Sequence, residues 1–382
     1  MSPTQRLLSL AVVNSVGFSA TTAMALWITS VDQILPVEPW WGSVMGACQL
    51  GVAALSNLIA PYLFRRTSCE ELARAAALFA AVCAGLMAAG HNPWIFGAGA
   101  VGLGVAHGLM LSCANALLAR SHTVQGNYAT AQICEVTLAA SFYLTAGTII
   151  ELYGLRAIFL ILAMLALLAA FLMHRLARWQ HSPRDAAWPV AGAGMDWRMP
   201  ATALAFTLFF VGQASFYQHQ MAIGSLLGIA QGDMSRLMAF AMAGGLTGAV
   251  LSKVLGVRYG VVRPLLFTTG MLAAVLILAV RTPNSAVFAL CAISIQALTM
   301  ATVPYVFAIL ARLDPTGRFP SRGPALLLIG VAGGPLLAEG FLLLGGYGLV
   351  GMAGAGIVLT SAILFATVGR ATMATRPLAA GP

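Results

Sequence analysis

Charged residues are scarce in this sequence of 382 residues, since Asp, Glu, Lys and Arg together make up only 8% of it. Soluble globular domains contain about 25% charged residues, so this composition excludes an ordinary soluble protein. Hydrophobic residues make up 60% of the chain and recur in runs long enough to cross a bilayer as helices. The sequence therefore predicts an all-α membrane protein with many spans.

Sequence patterns of the common catalytic sites are also missing. The chain contains no Gly-x-x-x-x-Gly-Lys-Ser/Thr loop, no His-Glu-x-x-His pair and no Gly-x-Ser-x-Gly elbow, which argues against ATP-driven transport and hydrolytic chemistry. The six cysteines share no metal-ligand spacing and lie mostly in apolar runs, so we interpret them as packing residues. We expect no metal site, no cofactor and no disulfide, and we do not expect an enzyme.

Twelve apolar runs predict twelve transmembrane helices in two halves of six, since only helices and closed barrels span membranes. The N-terminal half comprises residues 1–173, a charged linker containing proline covers residues 174–199, and the C-terminal half comprises residues 200–382. The first run extends to Ile28, beyond the roughly 7 to 15 residues of a signal-peptide core, so we interpret it as a span. The predicted spans are residues 1–31, 41–63, 73–89, 94–118, 128–150, a sixth that ends near Leu172, 201–221, 237–255, 265–280, 286–310, 326–344 and 349–368.

The distribution of Lys and Arg predicts the orientation of the chain. If the N-terminus is cytoplasmic, the only basic residues in or beside the external loops are Arg156, Arg236 and Arg281, which leaves 17 of the 20 on the inside. Cytoplasmic loops of membrane proteins collect basic residues. We therefore predict that both termini and the linker are cytoplasmic, in a multi-pass protein of the inner, or plasma, membrane.

The junction of the fifth and sixth spans carries a family resemblance. Gly147 and residues 153–159, YGLRAIF, resemble the Gly…Gly-Trp-Arg-x-x-Phe signature of the major facilitator superfamily, with Leu155 in place of the usual Trp. Its physical content is a tight Gly turn at the membrane surface, an interfacial aromatic residue and an Arg at head-group level.

Two further links resemble the Gly-x-x-x-Asp-Arg-x-Gly-Arg-Arg loop of the same superfamily in degenerate form. After the second span Arg65 and Arg66 match, and after the eighth span Arg258 and Gly260 match. Degenerate copies at corresponding places in the two halves indicate a repeat. Within the first copy Asn57, Pro61 and Phe64 occupy the Gly, Asp and Gly positions.

This resemblance implies the fold and the mode of action of that superfamily. Its members are secondary transporters whose two halves give alternating access to a midplane site, and spans 1, 4, 7 and 10 line the cavity. We therefore expect a monomeric, proton-coupled symporter or antiporter for a small polar or amphipathic molecule, partnered by the lipid bilayer and by no nucleic acid. The open alternatives are a facilitated-diffusion uniporter, a multidrug-type efflux transporter and, from a different class, a membrane-embedded enzyme or sensor.

The first candidate for proton coupling is Glu135, a carboxylate inside the fifth span. A charge at the centre of a span costs about 2.5 to 3.5 kcal/mol on insertion scales, so an intramembrane carboxylate indicates a functional site by default. Gln132, Ala139 and Tyr143 share its helix face, and His107 is predicted at a similar depth, where it can meet Glu135. A structural carboxylate hydrogen-bonded between helices is the alternative.

Glu339 in the eleventh span is the second candidate, because the neighbouring Gly and Pro residues can free carbonyls towards a cavity; snorkelling to water is the alternative. Polar groups on the four cavity-lining spans form the predicted substrate site, since amides and hydroxyls bind a polar molecule without a standing charge. For these groups, helix packing is the alternative. The candidates are Asn14, Phe18, Thr22, His107, Gln213, Tyr217, Gln220, Gln296 and Thr299, with His219, Thr302 and Tyr305 beside them.

Overall fold

The computed structural model describes residues 2–27, 31, 34–38, 40–64, 66–119, 124–179, 196–217, 219–256, 258–314 and 319–374, apart from several side chains within the helices. None of these residues lies in a β-strand. The chain divides into two compact units, one of Met1–Val190 and Asp314–Ile329 and one of Ala191–Leu313 and Gly330–Pro382. The predicted boundaries of the halves and the linker stay a prediction, since residues 180–195 lie outside the described part.

Six long helices begin the chain, and each coincides with one of the first six predicted spans. The sixth continues to Trp179, beyond its predicted end near Leu172. The helices are α1 Pro3–Trp27, α2 Trp40–Leu63, α3 Cys69–Ala89, α4 Pro93–Ala119, α5 Val124–Tyr153 and α6 Arg156–Trp179.

The remaining helices cover the other six predicted spans. They are α7 Arg198–Tyr217, α8 Gln220–Leu226, α9 Gln231–Leu255, α10 Val262–Arg281, α11 Ser285–Leu313 and α12 Gly323–Ala374. Helices α7 and α8 together form the seventh predicted span. Helix α12 is broken at Gly345 and Gly346, where Gly346 has a φ of 68°, a conformation that favours glycine, so it comprises the eleventh and twelfth spans.

Ten of the described helical segments are long and apolar enough to cross a membrane by length and composition. Together the described helices form an all-α membrane architecture that matches the twelve predicted spans.

The junction between α5 and α6 lies where the motif predicts it. Gly154 has a φ of 77°, and its N–H donates to the carbonyl of Ile150 over 2.8 Å, which closes the last turn of α5. The guanidinium of Arg156 contacts both ring nitrogens of His91, at 3.1 and 2.9 Å. Leu155, at the position of the usual Trp, is buried in the apolar core of the first unit.

Aromatic residues in that core hold α1, α4 and α6 together. Trp27, Phe96 and Phe159 are almost fully buried. The ring centroid of Phe96 lies 5.6 Å from that of Trp27 and 5.2 Å from that of Phe159, both edge to face. Such pairs contribute about 0.5 to 1.5 kcal/mol beyond the burial of their area. They fix α1 against α4 about one to four turns away from the polar residues of α1, which extend from Asn14 to Thr22.

Asn57 connects three segments of the first unit. Its Nδ2 donates to the carbonyl of Gly108 on α4 over 3.0 Å, and its Oδ1 accepts from the backbone N–H of Ala325 over 3.1 Å. Ala325 lies in the first turn of α12, where backbone N–H groups have no partner within their own helix. The residue that replaces a motif glycine is therefore a specific polar link from α2.

In the second unit, glycines allow α9 to approach α11 closely. A Cβ atom added at Gly248 would lie 1.9 Å from the carbonyl oxygen of Ala297, and one at Gly244 would lie 2.6 Å from the side chain of Ile293. Only glycine fits at these positions, because small residues are what permits backbones to touch in a membrane bundle. The α9–α11 pair is consequently a tightly packed wall.

Candidate functional site

Glu135 faces α1 across a small cavity in the first unit. Ser15, Ser19 and Thr22 of α1 line this cavity together with Glu135, and its volume is about 10 Å³. That is roughly the space of one water. The apolar side of the cavity comes from Leu138, Ala139, Phe142 and Leu165.

Hydrogen-bond donors are in short supply around this carboxyl group. Among the described residues its one hydrogen-bond partner is Gln132, whose Nε2 donates to Oε2 over 2.9 Å. Each of the three hydroxyls of α1 donates its own proton to a carbonyl of its helix, at 2.7 to 3.3 Å. The hydroxyls therefore offer the cavity lone pairs rather than protons.

Positive charge is likewise missing from this cavity. Within the described part of the chain, no Lys, Arg or His side chain lies within 4.0 Å of the Glu135 carboxylate. An ionised carboxylate without a cation and with one donor is poorly accommodated in an apolar helix, whereas a protonated carboxyl can donate to the hydroxyl oxygens. The geometry accordingly suits a group that accepts a proton or a small cation.

The same face of α1 continues into a network with α4 and α5. Asn115 of α4 donates from Nδ2 to Oδ1 of Asn14 over 2.9 Å, and Tyr128 donates to the carbonyl of Asn115 over 2.8 Å. Thr22, which lines the cavity, accepts at its backbone carbonyl from the hydroxyl of Tyr143 over 3.0 Å. Asn14 and Thr22 are thus brought to one polar seam, on which Glu135 also lies.

His107 does not join this seam. Its side chain is only 3% exposed, and its Nδ1 atom is buried without a hydrogen-bond partner among the described residues. It forms neither a hydrogen bond nor an ion pair with Glu135, so the structure does not bring together the predicted pair. The helix geometry behind that prediction fixed depth along the span but not the direction in which each side chain points.

In the second unit, the predicted residues of α7 and α8 carry amide groups that lack partners. Gln220, at the first position of α8, is 1% exposed, and neither its Oε1 nor its Nε2 atom has a hydrogen-bond partner among the described residues. Gln213 is buried on α7, and no hydrogen bond to its amide is found within the described part. His219, next to Gln220, donates from Nδ1 to the carbonyl of Ser215 over 2.9 Å, and the ring of Tyr347 lies beside its own. Tyr217 is partly exposed.

The polar side chains predicted on α11 have partners within the helix bundle. Gln296 contacts the sulfur of Met242 over 3.9 Å, and the hydroxyl of Thr299 donates to its own helix at Ile295. Thr302 bridges to Thr268 of α10 over 2.8 Å. These hydroxyls are satisfied within the bundle. The side chain of Glu339 on α12 lies outside the described residues. Phe18 is buried on α1.

Several residues of the polar seam were not identified from the sequence. Asn115, Ser15 and Ser19 each lie in an apolar run, and single Asn or Ser residues in such runs have no distinctive spacing. The signal that was available is the polar face of α1, on which Asn14 and Thr22 were already recognised. Ser15 and Ser19 each lie one position after a residue of that face, Asn14 and Phe18.

Comparison with known proteins supports the fold but gives little from sequence. No family model matches the chain, and no curated protein matches it. Several solved structures, however, are similar to it over most of its length. The human organic anion transporter MFSD10 (TETRAN) is similar with a TM-score of 0.75 and 15% identity, covering 96% of this chain and 100% of that one. A bacterial homologue of the iron transporter ferroportin is similar with a TM-score of 0.73 and 15% identity, and the match covers 97% of this chain and 100% of that one.

The E. coli fucose:proton symporter FucP is similar at the same level, with a TM-score of 0.76, 13% identity, and 95% and 97% of the two chains covered. FucP is described as a transporter of the major facilitator superfamily, as is the proton:xylose symporter XylE, which matches with a TM-score of 0.76. The resemblance found in the motifs thus extends over nearly the whole chain. The twelve-span fold of this protein is the fold of the major facilitator superfamily.

Proposed function

We propose that this protein is a proton-coupled secondary transporter for a small polar or amphipathic molecule. The observation that carries the proposal is the setting of Glu135, a carboxyl group in a membrane span with one amide donor and three hydroxyl oxygens that offer only lone pairs. Such a site can alternate between an ionised carboxylate that water hydrates and a protonated carboxyl group that donates to the hydroxyl oxygens. Two of the similar proteins, FucP and XylE, are proton symporters, which supports the same interpretation.

The substrate is proposed to bind to amides that the protein leaves without partners. Asn14 uses its Oδ1 for Asn115, while its Nδ2 has no hydrogen-bond partner among the described residues. In the second unit, both amide atoms of Gln220 are buried without a partner among the described residues, and Gln213 offers a further amide on α7. A buried amide without a partner costs about 1 to 3 kcal/mol, so its presence is best explained by a ligand or water that it serves. Amides without a nearby fixed charge fit hydroxyl, amide or carbonyl groups of a neutral solute.

Coupling follows if the two sites communicate through α1. Asn14 and the hydroxyls beside Glu135 belong to the same helix, and Thr22 receives a hydrogen bond from α5 through Tyr143. In alternating access, protonation at Glu135 then changes how α1 packs on α5, and with it the position of Asn14. The proposed roles are proton coupling for Glu135 and substrate binding for Asn14, Gln213 and Gln220. Glu339 stays the second candidate for proton coupling.

The test is transport in proteoliposomes by the Glu135→Gln variant. Gln keeps the shape and a hydrogen bond but cannot titrate, so accumulation driven by a pH gradient should disappear while exchange of substrate without net proton movement persists. Glu71→Gln is the matched control, because Glu71 lies exposed in the first turn of α3 and undergoes the same chemical change. Unchanged pH-driven accumulation in the Glu135 variant would remove the proposal and leave Glu339 as the remaining acid. If Na⁺ rather than a pH gradient drives accumulation by the unaltered protein, the coupling ion at this site is Na⁺ and not the proton.

Orientation is proposed from charge: both termini and residues 174–199 face the cytoplasm, in the inner, or plasma, membrane. Cysteine labelling at Ser182, which lies outside the described residues, tests it. Reaction with a membrane-impermeant reagent in intact cells would contradict the orientation. The substrate itself is to be sought by thermal-shift screening of solutes, because a ligand that binds only the folded state stabilises it by mass action.

A further inference from the structure

A groove opens on the second unit, and of the residues named above for substrate or protons only Tyr305 lines it. It has a volume of about 880 Å³ and is lined by residues of α9, α10 and α11. Helix α11 packs against both α9 and α10, so the groove lies along α11 between the other two. Its lining is almost entirely aliphatic and aromatic, with Leu251, Val254 and Phe267 exposed at its sides.

The length of the groove matches one leaflet of a bilayer. On α9 the lining extends from Leu246 to Leu255, which is about 13 Å at 1.5 Å per residue. Half of a hydrocarbon core of about 30 Å is about 15 Å. An acyl chain of one leaflet therefore fits along the groove, whereas a polar peptide or solute finds few hydrogen-bond partners on so apolar a wall.

Basic residues stand at one end of the groove. Arg263 lines it directly at the start of α10, and Lys253 and Arg258 lie close by in the chain, at the end of α9 and in the α9–α10 link. All three side chains are exposed, and none forms an ion pair with an acidic residue in the described part of the chain. A basic cluster immediately outside an apolar groove complements a lipid that has an anionic head group.

A buried hydroxyl at the floor of the groove provides an independent observation. Tyr305 of α11 lines the groove, its side chain is 1% exposed, and its hydroxyl has no hydrogen-bond partner among the described residues. Buried tyrosine hydroxyls usually have a partner. An ester carbonyl of a glycerolipid is an acceptor that a lipid in this groove would bring with it.

We propose that this groove binds a phospholipid with an anionic head group: the acyl chain lies along α11, the phosphate meets Arg263, and the Tyr305 hydroxyl donates to an ester carbonyl. The leaflet concerned is the one at the α9–α10 link, which is the cytoplasmic leaflet if the orientation proposed above holds. Binding itself is measured on purified protein and does not depend on that orientation or on transport.

The experiment uses a photoactivatable phosphatidylglycerol with the reactive group on its acyl chain, bound to the full-length protein in detergent, with the adducts mapped by mass spectrometry. Adducts are expected on α9, α10 and α11, and unlabelled phosphatidylglycerol should compete severalfold better than phosphatidylcholine of the same chains. Arg263→Gln should weaken binding about fivefold, the effect of one basic residue near a charged surface. Arg281→Gln, which removes the same charge at the other end of α10, is the control and should have no effect.

Two further variants separate the parts of the site. Val254→Trp fills the groove at a residue that is 77% exposed and should abolish the adducts, while Leu290→Trp, at an exposed residue of α11 outside the groove, should not. Tyr305→Phe removes only the hydroxyl and should reduce the affinity without loss of folded protein. Equal competition by phosphatidylcholine, or adducts spread evenly over the exposed helices, would overturn the proposal in favour of ordinary bilayer contact.

Discussion

Replacing Asn57 by Leu should destabilise the first unit more than any comparable change at its surface. The side chain is fully buried, and it satisfies both the carbonyl of Gly108 and the N–H of Ala325. Leu has the same branched shape and is somewhat larger, so the change removes two hydrogen bonds without creating a cavity. Loss of the bond to the Gly108 carbonyl costs about 0.5 to 1.5 kcal/mol, and leaving the Ala325 N–H buried without a partner costs about 1 to 3 kcal/mol. The expected loss is therefore about 2 to 4 kcal/mol.

The assay is thermal unfolding of the purified protein in one detergent, followed by tryptophan fluorescence. For a unit of this size, 1 kcal/mol corresponds to about 2 to 4 °C in Tm on the scaling found for soluble domains, so a drop of roughly 5 to 15 °C is expected. Asn284→Leu is the control. Asn284 caps α11 through hydrogen bonds to Ala286 and Val287 but is exposed, and loss of such a cap costs only about 1 kcal/mol. Equal shifts for the two variants would refute the view that Asn57 holds α12 to α2 and α4.

Three further predictions test the packing and the start of α7. Phe96→Ala should cost about 3 to 5 kcal/mol, because it empties the aromatic core of the first unit, and chemical denaturation should show it. Gly248→Ala should abolish stable folding measured by size-exclusion chromatography, since its Cβ would lie 1.9 Å from a backbone oxygen, whereas Gly270→Ala, with nothing within 4 Å, should be tolerated. Hydrogen bonds from the Arg198 side chain and backbone lower the pKa of Asp196, so the stabilisation from this contact is present above the ordinary pKa of 3.8 and is lost as pH falls through the lowered value; an NMR titration should give a higher pKa in Arg198→Gln.

Hydropathy alone was enough to predict the twelve spans, because the bilayer imposes both the length and the apolar character of a helix that crosses it. Hydropathy did not predict a helix break inside a run that stays apolar. The end of α7 at Tyr217 and the start of α8 at Gln220 fall within one predicted span. The break in α12 at Gly345 and Gly346 was predicted, since two glycines between apolar runs favour a turn.

The candidate site was harder to predict, because it depends on rotation about each helix axis. Sequence spacing placed Glu135, Asn14 and Thr22 on polar faces, and the structure brings these faces together between α1 and α5. The same reasoning placed His107 at the depth of Glu135, yet the two side chains do not meet. Depth follows from a count of residues at 1.5 Å each, whereas the direction of a side chain follows from packing against neighbours that the sequence does not identify.

Asn14 offers the sharpest distinction between a substrate site and a structural network. Asn115 keeps its bond to the carbonyl of Leu111 when Asn14 is removed, since its Nδ2 group donates to both. Asn14→Ala should therefore lower the free energy of unfolding by only about 1 kcal/mol. If the unpartnered Nδ2 of Asn14 binds substrate, the same change should raise the KM for transport at least several-fold, with the pH dependence of accumulation left intact because Glu135 and its cavity are unaltered. Asn115→Ala is the comparison: it removes both bonds of the network and should cost more in stability. A KM unchanged in Asn14→Ala, with stability lost as in Asn115→Ala, would show that the pair serves only to pack α1 against α4.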